Sequence, residues 1–153
     1  MEIRKTEHLI KTFSPENKPT DKEREQFIDF LFKHLENFGD PRQDIEKCVQ
    51  YAFKETDSDG GQVHVMYDQK GDVVGTVIIN QTGMKKYIPE NILVYIATHS
   101  DCRGKGLGKR LMKYAIDHTE GDIALHVEPH NPAKFLYEKL GFTNKYLEMR
   151  LKK

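Results

Sequence analysis

The chain has 153 residues with 24 Lys+Arg against 24 Asp+Glu, a length that makes one ordinary domain and a charge balance that argues against bulk nucleic-acid or anionic-membrane binding. Hydrophobic residues make up 37% and aromatics 10%, enough to fill a core, yet no stretch approaches the roughly 18 apolar residues of a membrane span. Met1-Glu2-Ile3-Arg4-Lys5 has no apolar export region, so Cys48 and Cys102 read as reduced thiols and a cytoplasmic location is expected.

Residues 2–6 are predicted as a short first strand, and the polar stretch 12–19, with two prolines, as a loop. Thr20-Asp21-Lys22-Glu23 is a capping box. Phe27, Phe30, Leu31, His34, Leu35 and Phe38 follow at helical spacing, and Gly39 stops the run. Asp40-Pro41 opens a second helix striped by Ile45, Cys48, Val49, Ala52 and Phe53. A turn cluster at 57–61 leads into a hairpin: Val63, Val65 and Tyr67 alternate, residues 68–72 turn, and 73–80 return. After a loop at 81–89, residues 92–98 are an almost uninterrupted apolar run, the pattern of a strand buried on both faces. Leu107, Leu111, Met112, Ala115 and Ile116 define a third helix. Gly121-Asp122 turns into a strand over 123–127, and Asn131-Pro132 caps a fourth helix ending at Leu140 before Gly141. A last strand, roughly 143–151, closes the chain. The predicted fold class is α/β, a mixed sheet with helices on both faces.

The segment Arg103-Gly104-Lys105-Gly106-Leu107-Gly108 is the most informative. It follows an apolar strand and opens a helix. Glycines let the backbone approach an anion closely, and the first N–H groups of the helix are unpaired. Together with the helix dipole they make a phosphate cradle, and Arg103, Lys105, Lys109 and Arg110 add positive charge beside it. The spacing fits neither the P-loop nor the dinucleotide fingerprint. The bland alternative is a tight turn filled by its own side chains.

Arg103-x-x-Gly106-x-Gly108 resembles the Arg/Gln-x-x-Gly-x-Gly/Ala signature of the GNAT superfamily of acetyl-CoA-dependent N-acetyltransferases. A second stretch, Asn131-Pro132-Ala133 followed by Leu136-Tyr137-Glu138-Lys139-Leu140-Gly141-Phe142, is similar to that family's second motif at the usual distance. Ser100 and Cys102 depart from the pattern, standing where many members have proline and an aromatic. The resemblance implies a GNAT fold, with a mostly antiparallel sheet splayed between its fourth and fifth strands. It implies acetyl-CoA as co-substrate, its diphosphate on the N–H groups of Arg103, Gly104, Lys105, Gly106, Leu107 and Gly108. The pantetheine would lie beside Ile96, Ala97 and Thr98, and Asn131 and Tyr137 would also meet the cofactor. The acceptor side would fall at residues 38–42, 81–89 and 142–146; a dimer partner could cover it.

Acetyl transfer to an amine asks for loss of a proton from the ammonium, donors for the oxyanion and a proton for the leaving thiolate. By spacing alone Tyr137 is a core aromatic; the resemblance implies that it is the acid. For the base, Glu90 matches the place of the glutamate in the histone-acetylating branch. His126 falls where the protein-N-terminus-acetylating branch has one. Glu128, Tyr95 or ordered water are alternatives. No metal is expected, because His126-Val127-Glu128-Pro129-His130 lacks the following cysteine pair of a zinc deaminase. An acyl-cysteine route through Cys102 and a non-catalytic CoA-binding module are the competing readings. The acceptor amine is not legible.

Overall fold

The computed structural model describes residues 8–35, 38–102 and 104–153; the strand expected at 2–6 lies outside these residues, as does Arg103. The element order is β1 (Leu9–Phe13), α1 (Asp21–His34), α2 (Arg42–Ala52), β2 (Gly61–Tyr67), β3 (Val73–Gln81), β4 (Asn91–Thr98), α3 (Leu107–Asp117), β5 (Ile123–Leu125) and α4 (Ala133–Lys139). The strands make one sheet in chain order, antiparallel throughout except for the parallel β4–β5 pair. Phe27, Leu31, Ile45 and Val49 bury α1 and α2 on one face, against Val63, Val65 and Ile78. Leu111, Met112 and Ala115 bury α3 on the other, against Met66, Val77 and Ile79. The expected mixed sheet with helices on both faces is therefore present.

Local chemistry explains most boundaries. The capping box forms: Thr20 Oγ1 accepts from the Glu23 amide at 3.1 Å, and Glu23 Oε1 accepts from the Thr20 amide at 2.9 Å. It fixes the start of α1 by satisfying two otherwise unpaired N–H groups. The helix ends at His34, short of the expected Phe38. The Phe38 amide donates back to the Leu35 carbonyl, a tighter turn than the helix, and its ring meets His130 at 5.6 Å instead of joining the α1 stripe. The loop expected at 12–19 yields its first two residues to β1, where Thr12 and Phe13 pair with His64 and Val63. Three acidic residues of α1 and α2, Glu25, Asp29 and Glu46, engage Arg42, and Glu55 just past α2 engages Arg24.

β4 departs from the expected strand buried on both faces. Ile78 pairs with Tyr95 and Ile79 with Leu93, so Val94 is the extra residue of a bulge, and it is 36% exposed. A bulge shifts the period-2 alternation. Leu93 consequently joins the α3 cluster, whereas Tyr95 and Ala97 join the α1–α2 cluster. The parallel ladder to β5 stops at the same point. It contains Asn91↔Ile123, Ile92↔Ala124 and Leu93↔Leu125, and the strand expected to reach Val127 ends at Leu125. From Val94 to Thr98, β4 has no strand partner on its β5 side among the described residues.

The strand expected at 143–151 does not form. Gly141 turns at φ +100° and the Phe142 amide closes onto the Tyr137 carbonyl at 3.0 Å. Beyond it the chain runs without a ladder partner, and Tyr146, Leu147, Met149 and Leu151 are 80%, 83%, 90% and 83% exposed. Alternating apolar residues favour a strand only where a neighbouring edge receives them.

Candidate active site

The glycine-rich turn connects the end of β4 to α3. Ser100–Cys102 form a short 3₁₀ turn after His99, and the Cys102 amide donates to the His99 carbonyl at 2.9 Å. Gly104 and Gly106 sit at φ +82° and +75°, the left-handed region that only glycine enters without strain. A Cβ at either would meet nothing within 4 Å, so the turn is not filled by its own side chains. Gly106 is the N-cap of α3 and no side chain caps this end. The first amides of α3 thus face an opening rather than an internal acceptor, the arrangement that favours a bound anion. That opening is a cavity of about 350 Å³ lined by Thr98, Cys102, the three glycines, Leu107, Lys109, Leu136 and Lys139.

These residues fit a diphosphate. Main-chain donors come from the turn, and Lys109 and Lys139 bring cations from α3 and α4. Lys105 is exposed on the turn, while Leu107 is buried in the α3 cluster and also lines the opening. Arg110 is directed away: its guanidinium donates to the His8 carbonyl at 2.7 Å. Lys139 was not singled out in the sequence. Its position one turn after Leu136, on the same face of α4, is the signal that places it here. Thr98 reaches the same cavity, and with Ile96 and Ala97 it lies on the β4 segment that β5 leaves unpaired. An extended chain could occupy that gap and use the strand's unpaired main-chain groups.

Asn131 precedes α4. Its Oδ1 accepts from the amide of Ala133, the first residue of α4, at 2.9 Å, which orients the side chain and leaves its amide nitrogen to meet a ligand. Tyr137 is buried, packs edge-on to Phe142 with ring centres 5.9 Å apart, and follows directly on cavity-lining Leu136. Burial pushes its phenol up to about 12. Its hydroxyl makes no hydrogen bond among the described residues.

Glu90 stands at the opposite end of β4 from the glycine turn. Its Oε1 accepts from the Asp122 amide at 2.9 Å and its Oε2 from the Lys86 amide at 3.1 Å. Those backbone donors hold the carboxyl below its ordinary pKa, Asp122 first. The carboxylate also packs on Gly121, where a Cβ would lie 2.8 Å from the Glu90 Cβ. Eight residues of strand at roughly 3.3 Å each separate it from Thr98. Its visible work is to clasp the turn into β5. Glu90→Gln should lower Tm and leave kcat near its original value; a large loss of kcat at unchanged Tm would reverse this. Because the folded pKa is depressed, the stabilisation is present above the ordinary carboxylate value of about 4.3 and lost as pH falls through the folded value.

His126 is exposed and is the first residue past β5, at the crotch where the β4–β5 ladder ends. Tyr95 lies two residues past the last laddered position of β4, just beyond the bulge, and turns to the α1–α2 side, where its hydroxyl donates to Asp40 Oδ2 at 2.5 Å. The Phe38–His130 contact bridges the α1–α2 connection to the loop before α4. His34 lies between the rings of Phe30 and His99, tilted to both, with centres 4.4 and 4.5 Å away. Phe38 thus meets the loop before α4, and the exposed Asp40 meets β4 through Tyr95. Glu128 pairs with His130 at 3.4 Å. Among the described residues no three His, Cys, Asp or Glu side chains cluster as metal ligands, and no helix is long and apolar enough to cross a membrane.

Comparison with known proteins agrees with this geometry. The family model for an acetyltransferase (GNAT) domain matches residues 59–144. A 5-NmdU N-acetyltransferase of Pseudomonas phage PaMx11 is 32% identical over 85 residues, which are 54% of this chain and 58% of that protein. The chain thus spans less than two thirds of that relative. Among solved structures, aminoglycoside N-acetyltransferase AAC(6')-Iy in complex with CoA superposes with a TM-score of 0.71 at 16% identity, covering 100% of this chain and 99% of that one. A ribosomal-protein-alanine N-acetyltransferase from Brucella melitensis biovar Abortus 2308 gives 0.64 at 18% identity, covering 95% and 99%. At those identities the structures show a shared fold. The open glycine turn, the forked β4–β5 pair and the matched family model lead to one assignment: the chain belongs to the GNAT family of acetyltransferases.

Proposed function

We propose that residues 1–153 form a single N-acetyltransferase domain that moves the acetyl group of acetyl-CoA to a primary amine by direct attack in a ternary complex. The observation that carries this is the unfilled glycine turn opening onto the unpaired half of β4. Acetyl-CoA supplies an activated thioester. The amides of residues 103–108, with Lys109 and Lys139, hold its diphosphate. The free edge of Ile96, Ala97 and Thr98 aligns the pantetheine, Asn131 donates its amide, and Tyr137 protonates the departing sulfur.

The ammonium must lose its proton before it can attack. Of the two side chains named for this, Glu90 is bound to two amides far along the strand, whereas His126 stands at the fork. We assign proton removal to His126, directly or through water. Asp40 is assigned to the incoming ammonium, because its exposed carboxylate is anchored by Tyr95 beside the gap. Asp40→Asn should raise the acceptor KM about tenfold, the scale of a charge-assisted hydrogen bond, with the acetyl-CoA KM unchanged. Equal effects on both would place Asp40 elsewhere in the cycle.

The decisive experiment is a thermal-shift titration with acetyl-CoA and with CoA, followed by CoA-release assays. The acceptor panel includes 5-NmdU, an aminoglycoside and a peptide with N-terminal alanine. Stabilisation by both nucleotides with turnover of one amine supports the reading. Stabilisation without turnover of any primary amine favours a binding module instead.

A further inference from the structure

The chain that leads into the glycine-rich turn has little packing of its own to fix its course. The 3₁₀ turn Ser100–Cys102 contains no buried residue, and the Asp101 side chain is 89% exposed. Yet Thr98 and Cys102 both line the cavity, so the path between them decides where the following amides point. His99 lies between the two and ties that path to the body at three atoms. The β3–β4 ladder ends at Gly75↔Thr98, and the His99 amide extends it by donating to the Val74 carbonyl at 2.9 Å. The His99 carbonyl accepts from the Cys102 amide at 2.9 Å, and its ring Nδ1 accepts from the Asp101 amide at 3.1 Å. A backbone N–H can only donate, so Nδ1 carries no proton in this arrangement and the ring proton sits on Nε2. The ring itself is fixed from behind. Its centre lies 4.5 Å from that of His34, which is buried at the end of α1 against Phe30.

We propose that His99 is a positioning residue for the cofactor: its Nδ1, by accepting the Asp101 amide, presets the turn so that the amides of 104–108 converge on the diphosphate before it arrives. This rests on the reading of that turn as the diphosphate site. Glycine loses more conformational freedom on ordering than any other residue. A glycine-rich turn ordered in advance spares that cost at the moment of binding. Free CoA and acetyl-CoA carry the same diphosphate, so both gain equally. The acetyl group and the acceptor do not meet His99, and the chemical step gains nothing from it.

Two variants separate the acceptor atom from the ring. His99→Phe keeps an aromatic ring beside His34 and removes the acceptor. His99→Asn loses the ring and places an amide oxygen where Nδ1 stands. His99 is partly exposed, so both variants should keep the fold. His99→Phe should raise the CoA Kd and the acetyl-CoA KM about five- to tenfold, the scale of one hydrogen bond, with kcat and the acceptor KM unchanged. His99→Asn should restore most of that affinity. In the ligand-free protein, NMR should show faster exchange of the Asp101 amide in His99→Phe and near wild-type exchange in His99→Asn. Wild-type affinity or unchanged Asp101 exchange in His99→Phe overturns the proposal. Equal losses in both variants trace the effect to the His34 contact and overturn it too. A wild-type protein that binds neither CoA nor acetyl-CoA removes the diphosphate reading itself, and the positioning role falls with it.

Discussion

Gly106→Glu should abolish saturable acetyl-CoA binding in a calorimetric titration, while the variant still unfolds cooperatively. Two effects act together. A side chain at φ +75° costs about 1–2 kcal/mol in backbone strain. The new carboxylate, with nothing within 4 Å of its Cβ, projects into the opening that the diphosphate enters. Two unit charges about 4 Å apart near a protein surface repel by roughly 4 kcal/mol, which on its own lowers affinity about a thousandfold. The strain falls mainly on stability and the repulsion on binding, and two alanine variants separate them. Gly106→Ala keeps the strain without the charge, so it should lower Tm and cost little affinity. Gly108→Ala has neither, because its Cβ would rest at ordinary contact, 3.6 Å from Leu136 and 3.7 Å from Thr98. Near-normal affinity in Gly106→Glu would remove the diphosphate from this turn and with it the functional reading.

The turn was legible because its chemistry is local. Glycine at positive φ, cations nearby and a helix start are all written within residues 103–110. The capping box fixed the start of α1 for the same reason. What the sequence hid depends on partners distant in the chain. β1 was missed because Lys11 and Thr12 make it polar; it is an edge strand, and only Phe13 is fully buried. The bulge at Val94 leaves no trace in an apolar run, since its cause is a mismatch between β3 and β4. Yet that bulge decides that Tyr95 faces Asp40 and that the β5 ladder stops where it does. Glu90 shows the converse. Its place in the sequence suggested chemistry, and its hydrogen bonds to Asp122 and Lys86 reveal a clasp. The segment 143–151 has the alternation of a strand but lacks, in one chain, an edge to receive it.

Tyr137→Phe should lower kcat by about 10²- to 10⁴-fold, the usual range for a positioned general acid, with little change in acetyl-CoA affinity or Tm. The hydroxyl makes no hydrogen bond among the described residues, so its removal leaves no protein partner stranded, and the ring keeps its contact with Phe142. That isolates the proton as the quantity lost. The pH profile adds a second, independent reading. Burial lifts the phenol to about 12, so it stays protonated across the working range. The rate should therefore rise as the acceptor ammonium loses its proton, then hold level without a falling limb below about pH 11. In Tyr137→Phe the rising limb should persist at the same pH on a much lower plateau, because the groups that titrate there are untouched. A phenol at 12 is a weak acid toward a thiolate of ordinary pKa, about 8.5. The transfer therefore has to coincide with cleavage of the carbon–sulfur bond, when negative charge gathers on sulfur in a site poor in water. A leaving group that needs no proton tests this step. With a thioester of a much more acidic thiol, wild type and Tyr137→Phe should converge in rate. If the gap between them persists, Tyr137 acts by holding the substrate rather than by giving a proton.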